Sequence, residues 1–147
     1  MKKWNISLLV FLISIFFLIG CSNSEKKTSE INLEQLSRVD IKEVNSDESY
    51  SEAIIITEKE TVDLLSKIFE QIKWEQNVKA EMSRKEDVRA TLFFNFDKNM
   101  PEKLVEYLIW FNQGNETATI IAKDENAYGT LEKENVQNLN DILLKNN

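Results

Sequence analysis

The sequence predicts an α+β fold, in which an antiparallel sheet of about four to five strands carries two helices on one of its faces. Three observations support this class. Several short segments alternate apolar and polar residues, as half-buried strands do. Two longer segments instead repeat apolar residues every three to four positions, as amphipathic helices do. Short turn-forming segments join consecutive strands, and strands joined in this way pair antiparallel.

The first half of the domain is expected to hold two strands and a helix. Alternating apolar residues begin near Ser37, and a polar turn leads to a second strand over 50–56. Thr57 and Glu60 have the spacing of a capping box, in which a hydroxyl and a carboxylate bond the first unpaired amides of a helix. The helix that follows carries an apolar stripe made by Val62, Leu65, Ile68, Phe69 and Ile72.

The second half is expected to hold a meander and a final helix. Strands are predicted over 88–96, 103–111 and 116–122, with a short edge strand at 127–129. The strand over 103–111 is apolar on both faces, so it should be central, or its second face should be covered or used for binding. A C-terminal helix of about three turns is predicted by the spacing of Val136, Leu139, Ile142 and Leu143.

Composition limits the chemistry. The 147 residues are 42% hydrophobic and 29% charged, which suits one globular domain. One cysteine and no histidine exclude an intrachain disulfide, a Cys/His zinc site and a catalytic triad with a histidine base. Three glycines leave no Gly-rich phosphate loop, and no cofactor is expected. The formal net charge of −7 argues against nucleic acid as a partner.

The first 20 residues are typical of a secretory leader. Lys2 and Lys3 precede an apolar run over 6–19, which as a helix would span about 21 Å, short of the roughly 30 Å of a bilayer core. The run ends in a segment that resembles the lipobox of bacterial lipoproteins, made by Leu18, Ile19, Gly20 and Cys21. In that family the cysteine is diacylglycerylated and the leader is cut just before it. The alternative is a plain anchor helix in which Cys21 has no role.

This resemblance divides the chain into three parts. Residues 1–20 are the expected signal peptide, 21–36 the lipidated cysteine and a flexible polar tether, and 37–147 a single α+β domain. Two acyl chains anchor a protein stably, whereas one chain binds only reversibly. The expected partner is therefore the membrane, to which diacylglyceryl on Cys21 anchors the chain. The expected location is the extracytoplasmic face of the cell membrane.

A basic segment between the first helix and the meander is a candidate binding site. Trp74, Lys79, Arg84 and Arg89 place an aromatic ring and three cations within sixteen residues of an acidic chain. Such a cluster could bind an anionic or phosphate-bearing ligand. The alternative is a solvated charged loop in which Trp74 plugs the end of the helix, because several acids nearby would neutralise the bases.

Two acidic turns are candidate sites. Asp124, Asn126 and Gly129 occupy positions one, three and six of a calcium-loop spacing, but positions five and twelve lack the required oxygen ligands. Asp97 and Glu102 flank one loop and could form a carboxylate pair for acid–base chemistry. Ordinary polar turns explain both segments as well, so neither a metal site nor a catalytic residue is predicted.

Four segments of the mature chain carry a resemblance to a known group of proteins. They are Trp74-Glu75-Gln76-Asn77-Val78-Lys79-Ala80-Glu81-Met82-Ser83-Arg84, Asp97-Lys98-Asn99-Met100-Pro101-Glu102, Ile109-Trp110-Phe111-Asn112 and Ala127-Tyr128-Gly129. In these segments the sequence resembles the uncharacterised YhfM-like small lipoproteins of bacilli. The similarity implies a lipoprotein of a Gram-positive envelope, and it transfers no catalytic residue.

These observations predict a membrane-anchored, non-catalytic binding or accessory module of the cell envelope. Its partner would be an envelope protein or a small ligand. The chain is not expected to be an enzyme, because no nucleophile lies beside a base in the sequence. Two alternatives stay open, an envelope-associated hydrolase that uses carboxylates and an inhibitory or structural interaction domain.

Overall fold

A seven-stranded antiparallel sheet forms one layer of the domain. The computed structural model describes residues 31–144, except 76, 77, 79, 97, 98, 113, 115 and 126. The strands are β1 (Leu36–Glu43), β2 (Ile54–Ile56), β3 (Lys73–Glu75), β4 (Val88–Phe94), β5 (Lys103–Asn112), β6 (Thr117–Ala122) and β7 (Ala127–Leu131). Their order across the sheet is β2-β1-β4-β5-β6-β7-β3, which confirms an α+β fold on an antiparallel sheet.

Two helices form the second layer, α1 (Lys59–Glu70) and α2 (Lys133–Leu144), and a short 3-10 helix (Leu33–Gln35) precedes β1. The apolar stripe predicted for α1 lies against the sheet, and the ring of Phe69 meets Tyr107 of β5 edge-on at 5.4 Å. Leu139 of α2 is fully buried in the same apolar core. Both helices therefore cover one face of the sheet, as the sequence predicts.

The long strand β5 is the middle strand of the seven, which explains its apolar character on both faces. On the helix-facing side its residues Tyr107 and Ile109 are buried among the helices. On the opposite side Trp110 is also buried, and its indole N–H donates to the carbonyl of Arg84 at 3.0 Å. The segment before β4 therefore covers part of the second face.

The strand count of four to five is wrong, because the described residues hold seven strands. The prediction missed β3, whose three residues carry no recognisable alternation and become a strand only by pairing with β7. This pairing makes β7 an interior strand, whereas the sequence predicted an edge. The pairing of β3 with β7 requires glycine at position 129, because a Cβ there would lie 2.4 Å from Ile72 Cγ2 and 2.8 Å from Trp74 Cε3.

Two local details also differ from the prediction. The N-cap of helix α1 is Glu58, and its side chain makes no capping hydrogen bond. The predicted capping box at Thr57 is therefore wrong. Instead, the Thr61 hydroxyl donates to the Glu58 carboxylate at 3.0 Å. The ordered fold also includes the end of the segment assigned to the tether. Leu36 is buried in β1, and the carbonyl of Leu33 accepts a hydrogen bond from Ser66 of α1 at 2.8 Å.

The expectations for residues 1–30, including the signal peptide and lipidation at Cys21, lie outside the described residues. Within the part of the chain that is described, neither helix has the length and apolar character needed to cross a bilayer.

Candidate functional site

The structure separates Trp74 from Arg84 and Arg89, the three described residues of the predicted ligand site. Trp74 lies in β3 at one edge of the sheet, where its ring packs 5.5 Å from Tyr107 and against the apolar core. Lys79 lies outside the described residues. Arg84 and Arg89 lie near the start of β4, which is four strands away from β3 across the sheet. Trp74 therefore fills the core rather than forming one site with the two arginines.

Arg84 is held by a carboxylate. Its guanidinium forms a forked pair with Asp87, with distances of 2.5 Å to Oδ1 and 2.9 Å to Oδ2, and this hydrogen bonding raises the pKa of Arg84. Arg84 also donates to the carbonyl of Phe111 at 3.2 Å, while the Phe111 amide donates to Asp87 at 2.7 Å. The pair thus ties the segment before β4 to the end of β5.

Arg89 belongs to a second charged cluster, on the sheet face away from the helices. The buried carboxylate of Glu86 accepts hydrogen bonds from the Tyr50 hydroxyl at 2.6 Å and from Arg89 at 3.0 Å. Arg89 also lies 3.3 Å from Glu106, which pairs with Lys123 at 2.6 Å. Arg84 and Arg89, the two predicted cations that the structure describes, are therefore neutralised locally, as in the alternative of a charged segment neutralised by nearby acids.

The surroundings of this cluster favour the ionised form of Glu86. Burial by itself would raise the pKa of Glu86, but hydrogen bonds from Tyr50, from its own backbone amide and from Arg89 outweigh burial and lower it. Burial and the bond to Glu86 raise the pKa of the Tyr50 hydroxyl. At neutral pH the cluster is therefore a neutral phenol between an ionised acid and an ionised base, which is a structural arrangement rather than a reactive one.

The acidic turns do not form sites among the described residues. Asp97 and Asn126 lie outside the described part of the chain, and Glu102 and Asp124 are exposed. No group of three or more acidic, histidine or cysteine side chains able to hold a metal ion occurs within the described ranges. The calcium and paired-carboxylate hypotheses therefore gain no support.

A groove that sequence reasoning missed lies at the end of the sheet where β1 and β5 end and β4 begins, beside α2. Its volume is about 1040 Å³. We name it the α2 groove, and it is lined by Glu43, Val44, Arg84, Asp87, Phe111, Asn112, Asn140 and Leu144. Glu43 is the last residue of β1, and its backbone is fixed by Ser51, whose hydroxyl accepts from the Glu43 amide at 2.9 Å.

The groove brings two carboxylates and two amides to one place. Val44 donates its amide to the carbonyl of Asp87 at 3.0 Å, so the segments that carry Glu43 and Asp87 are hydrogen-bonded neighbours. The side-chain amide of Asn112 donates to Thr117 and Thr119 at 3.2 and 3.1 Å, which fixes its orientation. Asn140 projects from α2, and it also borders a smaller groove of about 460 Å³.

Comparison with known proteins gives one structural match. No protein-family model matches the sequence, and the search of curated proteins gave no match. Among solved structures, the fold is similar to that of a thioesterase-like protein from Clostridium sporogenes, with a TM-score of 0.51 and 21% sequence identity. The match covers 74% of this chain and 94% of that protein. The match to a thioesterase-like protein contradicts two expectations, that the chain is a non-catalytic binding or accessory module and that it is not an enzyme.

Proposed function

We propose that the chain is a hydrolase that cleaves small, uncharged thioesters in the α2 groove. The observation that carries the proposal is the meeting of Glu43, Asp87 and Asn140 around one open groove, although 97 positions separate the first from the last. The similarity of the fold to that of a thioesterase-like protein is an analogy of fold, and it is consistent with this reaction class.

Glu43 is the proposed general base. The chain has no histidine, so a carboxylate is the group left to take a proton from water at neutral pH. Asp87 is assigned a different role, because Arg84 and the Phe111 amide donate to its two oxygens. Glu43 is half-buried at the end of β1, and Ser51 fixes its backbone. Asp87 and Arg84 would then act as positioning residues that hold the wall of the groove.

The chemistry of the leaving group favours a thioester over an oxygen ester. In hydrolysis, a water oxygen attacks the acyl carbon while Glu43 accepts a water proton, and the carbon–sulfur bond then breaks. A thiol has a pKa of about 8.5, so a thiolate leaves without a proton donor. An alkoxide is far more basic and needs a general acid, usually a histidine or a carboxylic acid of raised pKa. The chain has no histidine to supply that proton.

The remaining wall fits an acyl group. Asn140 lines the groove, and its amide N–H is the proposed donor to the carbonyl oxygen, where negative charge develops in the transition state. Val44, Phe111 and Leu144 give the groove apolar surface for a short acyl chain. Two carboxylates against one guanidinium leave the groove net negative, which disfavours substrates that carry phosphate or carboxylate near the reacting bond.

A hydrolysis assay tests this proposal. The protein is incubated with neutral thioesters of increasing acyl length, and the released thiol is titrated with a chromogenic reagent. We expect Glu43→Gln to lower kcat/KM by about 10²- to 10⁴-fold, since a general base contributes that much. We expect Asn140→Ala to lower kcat by about 10²-fold, the usual effect of losing one oxyanion donor.

Glu75→Gln is the matched control, because Glu75 is an exposed glutamate at the far edge of the sheet. Its activity should equal that of the natural chain. Equal activity of Glu43→Gln and the natural chain on every thioester would refute the assignment of the base. Absence of thioester cleavage by the natural chain, with a folded circular dichroism spectrum, would refute the reaction class.

We also propose that the enzyme is anchored through Cys21 on the extracytoplasmic face of the membrane. The lipobox resemblance of residues 18–21 supports this location. Cells grown with an alkyne fatty acid should label the natural chain but not Cys21→Ser, as read by click chemistry on the purified protein. Equal labelling of both chains would refute the anchor, and it would leave the groove chemistry unaffected.

A further inference from the structure

Exposed apolar side chains concentrate at the connection between β4 and β5. Phe96, Met100 and Leu104 are 40%, 63% and 51% exposed, and we name these three residues the β4–β5 tip. They are three of the five large apolar side chains exposed in the described part of the chain, yet they lie within nine positions. A soluble surface scatters such residues, so their concentration points to a contact.

The N-terminal segment enters the domain beside this tip. The Asn95 amide donates to the carbonyl of Gln35 at 3.1 Å, and Leu36 pairs with Phe94 at the end of β4. Ten positions separate Cys21 from Ile31, and a chain of ten residues spans at most about 36 Å even when fully extended. An anchor at Cys21 would therefore hold this end of the domain close to the bilayer.

We propose that the β4–β5 tip is a docking surface that inserts its apolar side chains into the surface of the lipid bilayer. Residues 95–104 carry two lysines and two acids, so their formal charge is zero in a chain whose net charge is −7. A neutral apolar tip can approach an anionic membrane, whereas the acidic remainder of the domain is repelled. A bilayer thus fits both the chemistry and the position of the tip.

The base of the tip is packed on the sheet, which favours insertion. The rings of Phe94 and Phe96 stack with their centroids 6.2 Å apart. The backbone of Leu104 pairs across the sheet with that of Phe93, whose ring centroid lies 3.5 Å from the guanidinium of Arg38. Because the ring of Phe96 already packs on Phe94, docking costs little ordering of that side chain.

Docking would also orient the α2 groove. The groove opens where β4 begins and the tip follows where β4 ends, seven residues or about 20 Å away along the strand. The groove would then face away from the lipid and receive substrate from the aqueous side. This orientation depends on the proposed active site, whereas docking itself depends only on the tip and on its closeness to the bilayer.

A fluorescent probe at the tip tests the docking. The chain is purified in the lipidated form expected from the lipobox, in which the acylated Cys21 has no free thiol, and it carries Met100→Cys labelled by an environment-sensitive nitrobenzoxadiazole probe. It is reconstituted with vesicles of phosphatidylcholine and phosphatidylglycerol and recovered by flotation. The matched control carries the probe through Glu75→Cys, an exposed position on the far edge strand.

We expect the probe at position 100 to brighten about threefold and to be quenched by spin-labelled lipid, while the probe at position 75 stays aqueous. Adding Phe96→Ser and Leu104→Ser should weaken the quenching about tenfold, because apolar burial drives the insertion. Aqueous spectra at both positions in floated vesicles would overturn the proposal. Brightening without vesicles as protein concentration rises would instead assign the tip to a second copy of the chain. Because the probe measures no hydrolysis, its outcome is independent of the enzymatic proposal.

Discussion

The substitution Glu86→Gln removes the charge at the centre of the cluster on the open sheet face. Glutamine keeps the size of the side chain and an oxygen that can accept from Tyr50. It loses the ionic part of the bond to Arg89, which is 3.0 Å long in the natural chain. The carboxylate of Glu86 is only 7% exposed, so water replaces little of the lost interaction.

The expected loss of stability follows from these contacts. Breaking a buried ion pair costs about 3–5 kcal/mol when the remaining charge stays unpaired. Arg89 keeps a second partner, Glu106 at 3.3 Å, and is itself 27% exposed, so the cost should be lower. Hydrogen bonds to charged groups contribute about 1.5–3 kcal/mol, and we expect a loss of about 2 kcal/mol. For a domain of this size that corresponds to a fall in Tm of about 8 °C.

The effect should depend on pH in a defined direction. The pKa of Glu86 is lowered in the folded state, so its stabilisation is fully present above its unfolded pKa of about 4.3 and is lost as pH falls through its folded pKa. Glutamine does not titrate. The difference in unfolding free energy between the two chains should therefore be constant near neutrality and narrow below pH about 4.

Urea unfolding of residues 31–147, followed by circular dichroism at several pH values, measures this difference. Glu34→Gln is the control, since Glu34 lies in the first turn of the 3-10 helix and faces solvent, and its effect should stay within about 0.5 kcal/mol. A Glu86→Gln chain as stable as the control at pH 7 would refute the reasoning. A difference that widens on acidification would refute the direction of the pKa shift.

Three further substitutions test the packing by urea unfolding. Gly129→Ala should lower the free energy of unfolding by about 2 kcal/mol, because its methyl carbon would lie 2.4 Å from Ile72 Cγ2. An unchanged urea midpoint would mean that β3 does not pack there. Leu139→Ala should lower the free energy of unfolding by about 3 kcal/mol, because Leu139 is fully buried between α2 and the sheet. A loss below about 1 kcal/mol would show that α2 does not pack on the sheet. Trp110→Phe should cost about 1 kcal/mol through the lost bond to the Arg84 carbonyl, and equal stability would contradict that bond.

The elements that the sequence predicts well are those whose pattern is local. The strands near 88–96, 103–111 and 116–122 alternate strongly, and the observed strands β4, β5 and β6 agree with them to within a few residues. The two helices carry apolar stripes long enough to fix their period and their buried face. The central position of β5 could also be predicted, because apolar residues on both faces require cover on both faces.

The elements that the sequence misses depend on partners far away in the chain. The strand β3 exists because Trp74 pairs with Gly129, 55 positions later, and that contact is possible because glycine has no side chain. The capping box at Thr57 failed because the chain enters α1 one residue later, with Glu58 in the cap position. Neither outcome could be predicted from the local pattern of residues.

Periodicity and composition are properties of the chain alone, and they were sufficient to predict the α+β class and the two helices and to exclude histidine chemistry. The positions of the charges, in contrast, were set by the tertiary structure. It separated Trp74 from Arg84 and Arg89, paired both arginines with carboxylates, and brought Glu43, Asp87 and Asn140 to one groove. The reason is that a site requires convergence in space, and the pairing of β1 with β4 and the packing of α2 set that convergence over nearly one hundred residues.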